Sequence, residues 1–252
     1  MSRGQSTSKK SRTRSLSQTQ SSQAANIAKK VMLRNIETKR NMRAFNFNLG
    51  TNGFQAWNMS IIAQGDDINQ RNGRQILATS LRRNFFLRNN SFLEPILVRM
   101  LVLQAKEGQR EDIVSSTALF SPSLLPDDNT TTWDEHNGQG KIQAILKPID
   151  TTKWIVKEDK RFTLGALPNP DKNVEHETAA STGRMSYHDG RSASSITRSI
   201  LNLKGRKIHY DGSGSCEDRL HIVLMCCQID GSQILGSTMS VVGNACLYFK
   251  DP

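Results

Sequence analysis

Two pairs of adjacent carboxylates, Asp66-Asp67 after Gly65 and Asp127-Asp128 after Pro126, are where this chain could hold a metal ion. Adjacent acids can bind catalytic magnesium or structural calcium. A lone Gly-Asp-Asp in 252 residues reads as a polar turn, because polymerase chains are far longer. No cofactor is expected, and the one metal role left to these acids is calcium at a subunit interface. His136, His176, His188, His209 and His221 show no metal-ligand spacing, and His188-Asp189 beside Ser186 lacks a nucleophile motif such as GxSxG. Cys216, Cys226, Cys227 and Cys246 have no CxxC spacing and read as buried free thiols of a reducing compartment. No enzyme is expected.

The chemistry that remains is anion binding. The chain holds 34 Lys+Arg and 23 Asp+Glu, a net +11. Eleven of the bases lie in residues 1–43 (Arg3, Lys9, Lys10, Arg12, Arg14, Lys29, Lys30, Arg34, Lys39, Arg40, Arg43) against one acid, Glu37. That segment carries +10, which leaves +1 for residues 44–252. A nearly neutral body with a cationic arm points to a polyanion partner, and an Arg-rich arm suits bidentate phosphate contacts. The pairs Lys9-Lys10 and Lys29-Lys30, with Arg12 and Arg14, also fit a nuclear import signal read by nuclear import receptors. No secretory leader is expected, and the longest apolar stretch, residues 96–103, is too short to span a bilayer. No membrane partner is expected.

The elements that must carry these groups read as β-strands. Residues 1–23 are Ser, Thr, Gln, Lys and Arg almost throughout and read as disordered. Ile27 and Val31, four apart, allow a short helix within 24–38 that forms against a partner. The body begins around Ala44. Period-two alternation marks Phe45/Phe47 and residues 57–63. Residues 75–88 fit a strand with a cationic face holding Arg82 and Arg88, although Leu77, Leu81 and Phe85 also fit helical spacing. Residues 96–103 are apolar on both faces, as in a strand covered on both sides. Short strands are expected at 142–147, 153–157, 161–165, 196–203, 208–210, 219–229, 237–242 and 245–250, with long loops at 106–141 and 168–191. With no βαβ alternation, this predicts an all-β fold: a single jelly-roll β-sandwich of about eight antiparallel strands over 44–252, behind a disordered basic arm over 1–43.

Arm, strand pattern and the spacing Gln64-Gly65…Arg71-x-Gly73-x-x-Ile76 together resemble the capsid proteins of circular Rep-encoding single-stranded DNA (CRESS-DNA) viruses. The layout is also similar to the coat protein of satellite tobacco necrosis virus. Further matches are Val98-Arg99, Ile208-His209-Tyr210-Asp211-Gly212 and Leu247-Tyr248-Phe249-Lys250-Asp251. The resemblance implies a homo-oligomeric, small icosahedral (T=1) shell, the arms turned inward onto a single-stranded genome, DNA in preference to RNA. It also implies a place in the virion and, during infection, in the host nucleus. Arg71, Arg74, Arg82 and Arg88 would extend the arm's basic surface onto the wall. The competing readings are a β-sandwich nucleic-acid-binding regulator and a satellite-virus coat protein packaging RNA.

Overall fold

In the computed structural model the described residues are 18–49, 53–91, 94–106, 124, 138–167, 192–216, 218–229 and 239–251. Residues 1–37 and 38–252 form separate compact units. In the first, helix α1 spans Gln18–Asn35. Residues 18–23, expected to be disordered, belong to this helix, since the Gln-, Ser- and Ala-rich run tolerates helix; residues 1–17 lie outside the described residues. Ile27 and Val31 are both exposed on α1.

The described residues of the second unit form eight strands and one helix: β1 (Thr38–Leu49), β2 (Phe54–Asn58), β3 (Gln75–Asn89), β4 (Ile96–Ala105), α2 (Gly138–Leu146), β5 (Trp154–Leu164), β6 (Ser194–His209), β7 (Leu220–Gln228) and β8 (Met239–Lys250). The sheets run β1-β8-β3-β6 and β2-β7-β4-β5. Within them β1 pairs with β8, β2 with β7, β3 with β6 and β4 with β5, all antiparallel. This nesting of first strand with last, repeated inward, is a long hairpin rolled into two sheets, the jelly roll expected.

Period-two alternation builds the core. Leu81, Phe85 and Leu87 of β3 and Val241, Ala245, Leu247 and Phe249 of β8 point inward, against Val98, Met100 and Val102 of β4 and Leu220, Ile222 and Leu224 of β7. Gly243 (φ 156°) stands opposite both Phe45 and Phe85, and a Cβ there would lie 2.1 Å from the Asn84 carbonyl oxygen. The Phe45 and Phe85 rings meet edge to face with centroids 5.2 Å apart.

The outer face of the second sheet is covered, as the apolar run 96–103 required. Leu101, Leu103, Val223 and Met225 pack there with Ala144 and Ile145 of α2 and with Trp154. The segment 142–147, expected as a strand, is instead helical up to Leu146 in α2: Lys141, Ala144 and Ile145 are buried at helical spacing. Buried Arg99 holds this helix down. It donates to the carbonyls of Ala144 (3.3 Å) and Lys147 (2.7 Å) at the helix C-terminus, and makes a two-pronged pair with Asp159.

Other boundaries also move. The body starts at Thr38, not Ala44. Residues 59–63 lie beyond β2. The segments 153–157 and 161–165 are one strand, β5, with a register shift opposite Val102 and Leu103. Likewise 196–203 and 208–210 join as β6, interrupted by positive φ at Lys204 (55°) and Gly205 (66°). Apart from Lys106, Leu124 and residues 138–141, the expected loops at 106–141 and 168–191 lie outside the described residues.

Candidate nucleic-acid interface

None of β1, β3, β6 and β8 contains an Asp or Glu. Register places the outward side chains of this sheet in rows that run across all four strands. Met42, Cys246, Arg82 and Ile200 form one row; Ala44, Asn244, Asn84 and Arg198 the next; Asn46, Val242, Phe86 and Ile196 the third; Asn48, Ser240, Arg88 and Ser194 the fourth. Successive rows are roughly 7 Å apart, two residues along a strand. Arg40, Arg82, Arg88 and Arg198 are exposed cations on this face. They alternate with solvent-facing Met42, Phe86, Ile196, Ile200 and Val242. The Arg82 guanidinium lies 4.9 Å from the centre of the Tyr248 ring, and Arg198 donates to Asn84 Oδ1 (3.3 Å). Phosphates can meet these cations, a contact that tolerates any sequence.

Comparison with protein-family models and with curated proteins gives no match.

The predicted binding residues divide into four groups. Arg3, Lys9, Lys10, Arg12 and Arg14 lie outside the described residues. Lys29, Lys30 and Arg34 belong to α1. Arg40 and Arg82 are on the acid-free face, and Arg74 is exposed just before β3. Arg43 is exposed too, but by alternation it lies on the other side of β1, beside a cleft with Asn58 and Ile61.

Two predicted residues face the wrong way. Lys39 is buried in β1, its Nζ 2.6 Å from Asn72 Oδ1 and 3.6 Å from Asp251. Arg71, 2% exposed, donates to the carbonyls of Ile62 (3.3 Å) and Gly73 and stacks on Tyr210. Both are internal ties of the sandwich, since their charges are already satisfied by protein groups. The segments Gln64-Gly65, Arg71-x-Gly73, Tyr210 and Asp251 thus meet in one structural knot. Gly65 N bonds Arg71 O (2.9 Å), and Asn72 N and Gly73 N both donate to the Asp251 carboxylate.

Sequence reasoning missed Arg198 and the apolar rows. Alternation in 196–203 was visible; the β3–β6 register that brings Arg198 beside Asn84 was not.

Asp66 and Asp67 stand in a turn closed by Gln70 N donating to Asp67 O (2.9 Å). Asp127 and Asp128 lie outside the described residues. Among the described residues no three His, Cys, Asp or Glu side chains gather as a metal site, and no helix is long and apolar enough to cross a membrane.

Proposed function

We propose that this chain is a shell-forming coat subunit, and that its basic arm and the outer face of β1-β8-β3-β6 together hold a single-stranded genome, DNA in preference to RNA. The observation that carries this reading is the complete absence of acids from four strands whose outer face presents Arg40, Arg82, Arg88 and Arg198. Eight of the eleven bases precede β1, the edge strand of that sheet, and run on in sequence into it. A two-sheet wall with one cationic face suits a subunit that lines a shell, and binding by counterion release needs no base reading. The role is structural rather than enzymatic. Import through Lys9-Lys10 and Lys29-Lys30 would bring the subunit to nuclear DNA.

Assembly is the test. Purified full-length protein, examined by negative-stain microscopy and light scattering, is expected to form uniform closed shells with nuclease-protected nucleic acid. A species no larger than a dimer across salt and pH overturns the coat reading and leaves a nucleic-acid-binding regulator. Protected nucleic acid that RNase alone degrades after disruption replaces DNA with RNA as cargo.

A further inference from the structure

Away from the acid-free face, the edge where β5 and β6 lie side by side holds a notch of about 480 Å³. It is lined by Lys157 of β5 and by Lys204, Arg206, Lys207 and His209 of β6, with Asp218. Two irregularities in the ladders create it. In β6 the register jumps from Arg206↔Ala78 to Asn202↔Ser80, and the chain spans the gap through consecutive left-handed residues Lys204 and Gly205. In β5 Lys157 is the residue left over between Val156 and Glu158, where the register shifts. Bulges are the standard means of re-aiming a side chain at a sheet edge.

The charges of this notch are not balanced from within. Asp218, the only acid among the described residues of its lining, is taken by His209, whose Nδ1 lies 2.8 Å from the carboxylate and whose backbone N donates to it at 3.4 Å. Among the described residues no carboxylate pairs with Lys157, Lys204, Arg206 or Lys207. Burial, then the charges of Arg206 and Lys204, hold the Lys157 ammonium below the ordinary lysine range. Four like charges around one concavity repel each other, and a multivalent anion seated among them relieves that repulsion.

We propose that the notch binds a multivalent phosphate anion whose oxygens are taken by Lys157, Lys204 and Arg206. No Phe, Tyr or Trp lines it and Leu203 is its one aliphatic side chain, so the recognised group is the phosphate chain and not a base. The phosphates come either from a free polyphosphate or from a bound nucleic-acid strand.

The test is thermal unfolding of the full-length protein with sodium tripolyphosphate against sodium chloride at matched ionic strength. The arm's charges are present in folded and unfolded chains alike, so ligand held there shifts Tm little, whereas a site built by folding shifts it strongly. At roughly ten times Kd the expected rise is about 3–5 °C. Lys204→Ala/Lys207→Ala, at exposed positions, should abolish at least half of it, and Lys157→Met should weaken binding roughly tenfold. Arg161→Ala, an exposed cation of β5 outside the notch lining, should keep the full rise. An oligo(dT) arm separates the sources. If its stabilisation also falls in the notch variants, the phosphates belong to the strand; if it does not, the ligand is free polyphosphate. No rise in the wild type beyond sodium chloride, or an equal rise in the notch variants, overturns the site.

Discussion

The guanidinium carbon of Arg71 lies 4.0 Å from the centre of the Tyr210 ring, joining the loop before β3 to the end of β6. The Tyr210 hydroxyl continues the tie by donating to Ser60 O (2.9 Å), and burial pushes its ionisation well above the ordinary tyrosine range. Asp251, after β8, closes the same knot from the other side through Asn72, Gly73 and Lys39. This corner fixes how four segments leave the sandwich. It leaves Arg71 no freedom to follow a phosphate.

Arg71→Ala should therefore destabilise the fold by about 3 kcal/mol, through lost charge-assisted hydrogen bonds and a desolvated cation–π contact. Arg71→Lys should recover only part of this, because an ammonium lacks the planar fork that reaches two carbonyls while stacking. Urea midpoints at unchanged m-value measure the loss. Weakened nucleic-acid binding with unchanged stability would instead place Arg71 at the interface.

The beginning of the body gives a sharper truncation experiment than composition does. Deleting residues 1–37 leaves β1 whole and should yield a folded body with reduced nucleic-acid binding. Deleting 1–43 also removes the ladder that pairs Thr38–Arg43 with Lys250–Ala245, together with the Lys39–Asp251 pair. That second truncation should lose several kcal/mol, because it unpairs half of β8's ladder with β1 and exposes core. Circular dichroism melts of the two bodies compare them directly; equal Tm values would show that residues 38–43 do not support the wall.

The same residues show what was legible. Strand β4 could be read as covered on both faces because its apolar run has no polar side. The start of β1 could not, since Lys39, Arg40 and Arg43 look like arm until Asp251, far along the chain, supplies the partner that lets Lys39 be buried. Helix α2 could not be told from a strand because a short apolar run fits either periodicity. What holds it is non-local: Arg99 on its last carbonyls and the sheet beneath it. The acid-free face was half legible. Each strand's alternation was visible, but a row such as Arg82 beside Ile200 exists only once register is known.

On that face, single cations should act additively and without sequence preference. Arg82→Ala, Arg88→Ala and Arg198→Ala should each lower the salt slope of single-strand binding by about 0.7. Fluorescence anisotropy with oligo(dT) and a mixed-sequence strand across a salt series reads this out. A slope that stays fixed in the triple variant would remove the sheet face from the interface and leave binding to the arm.

The thiols should be silent in the native protein. Burial pushes Cys216 up to about 11 and Cys226 higher still, so little thiolate exists at pH 8. Labelling by a thiol-specific chromogenic disulfide should be slow for the folded chain and fast for all four cysteines after guanidinium unfolding. Immediate labelling of Cys216 in the native state would contradict its burial.

The hardest charge to explain in the wall is Arg83, 3% exposed on the inward side of β3. Glu158 of β5 pairs with it, Ser199 Oγ accepts from its Nε (2.7 Å), and Lys160 flanks Glu158 at 2.7 Å. Burial pulls the guanidinium below its usual range, and Glu158 offsets only part of that. A pair of this kind bridges the two sheets at their open edge, but its Coulombic gain is set against the cost of desolvating both ions. Glu158→Leu alone should cost about 3–5 kcal/mol by leaving Arg83 unpaired. Arg83→Met/Glu158→Leu should be far less damaging than the single variant, and neutral or stabilising against wild type. A double-mutant cycle from urea unfolding measures the coupling. If the double variant were as unstable as Glu158→Leu, the pair would hold the sheets together by its shape rather than by balancing charge.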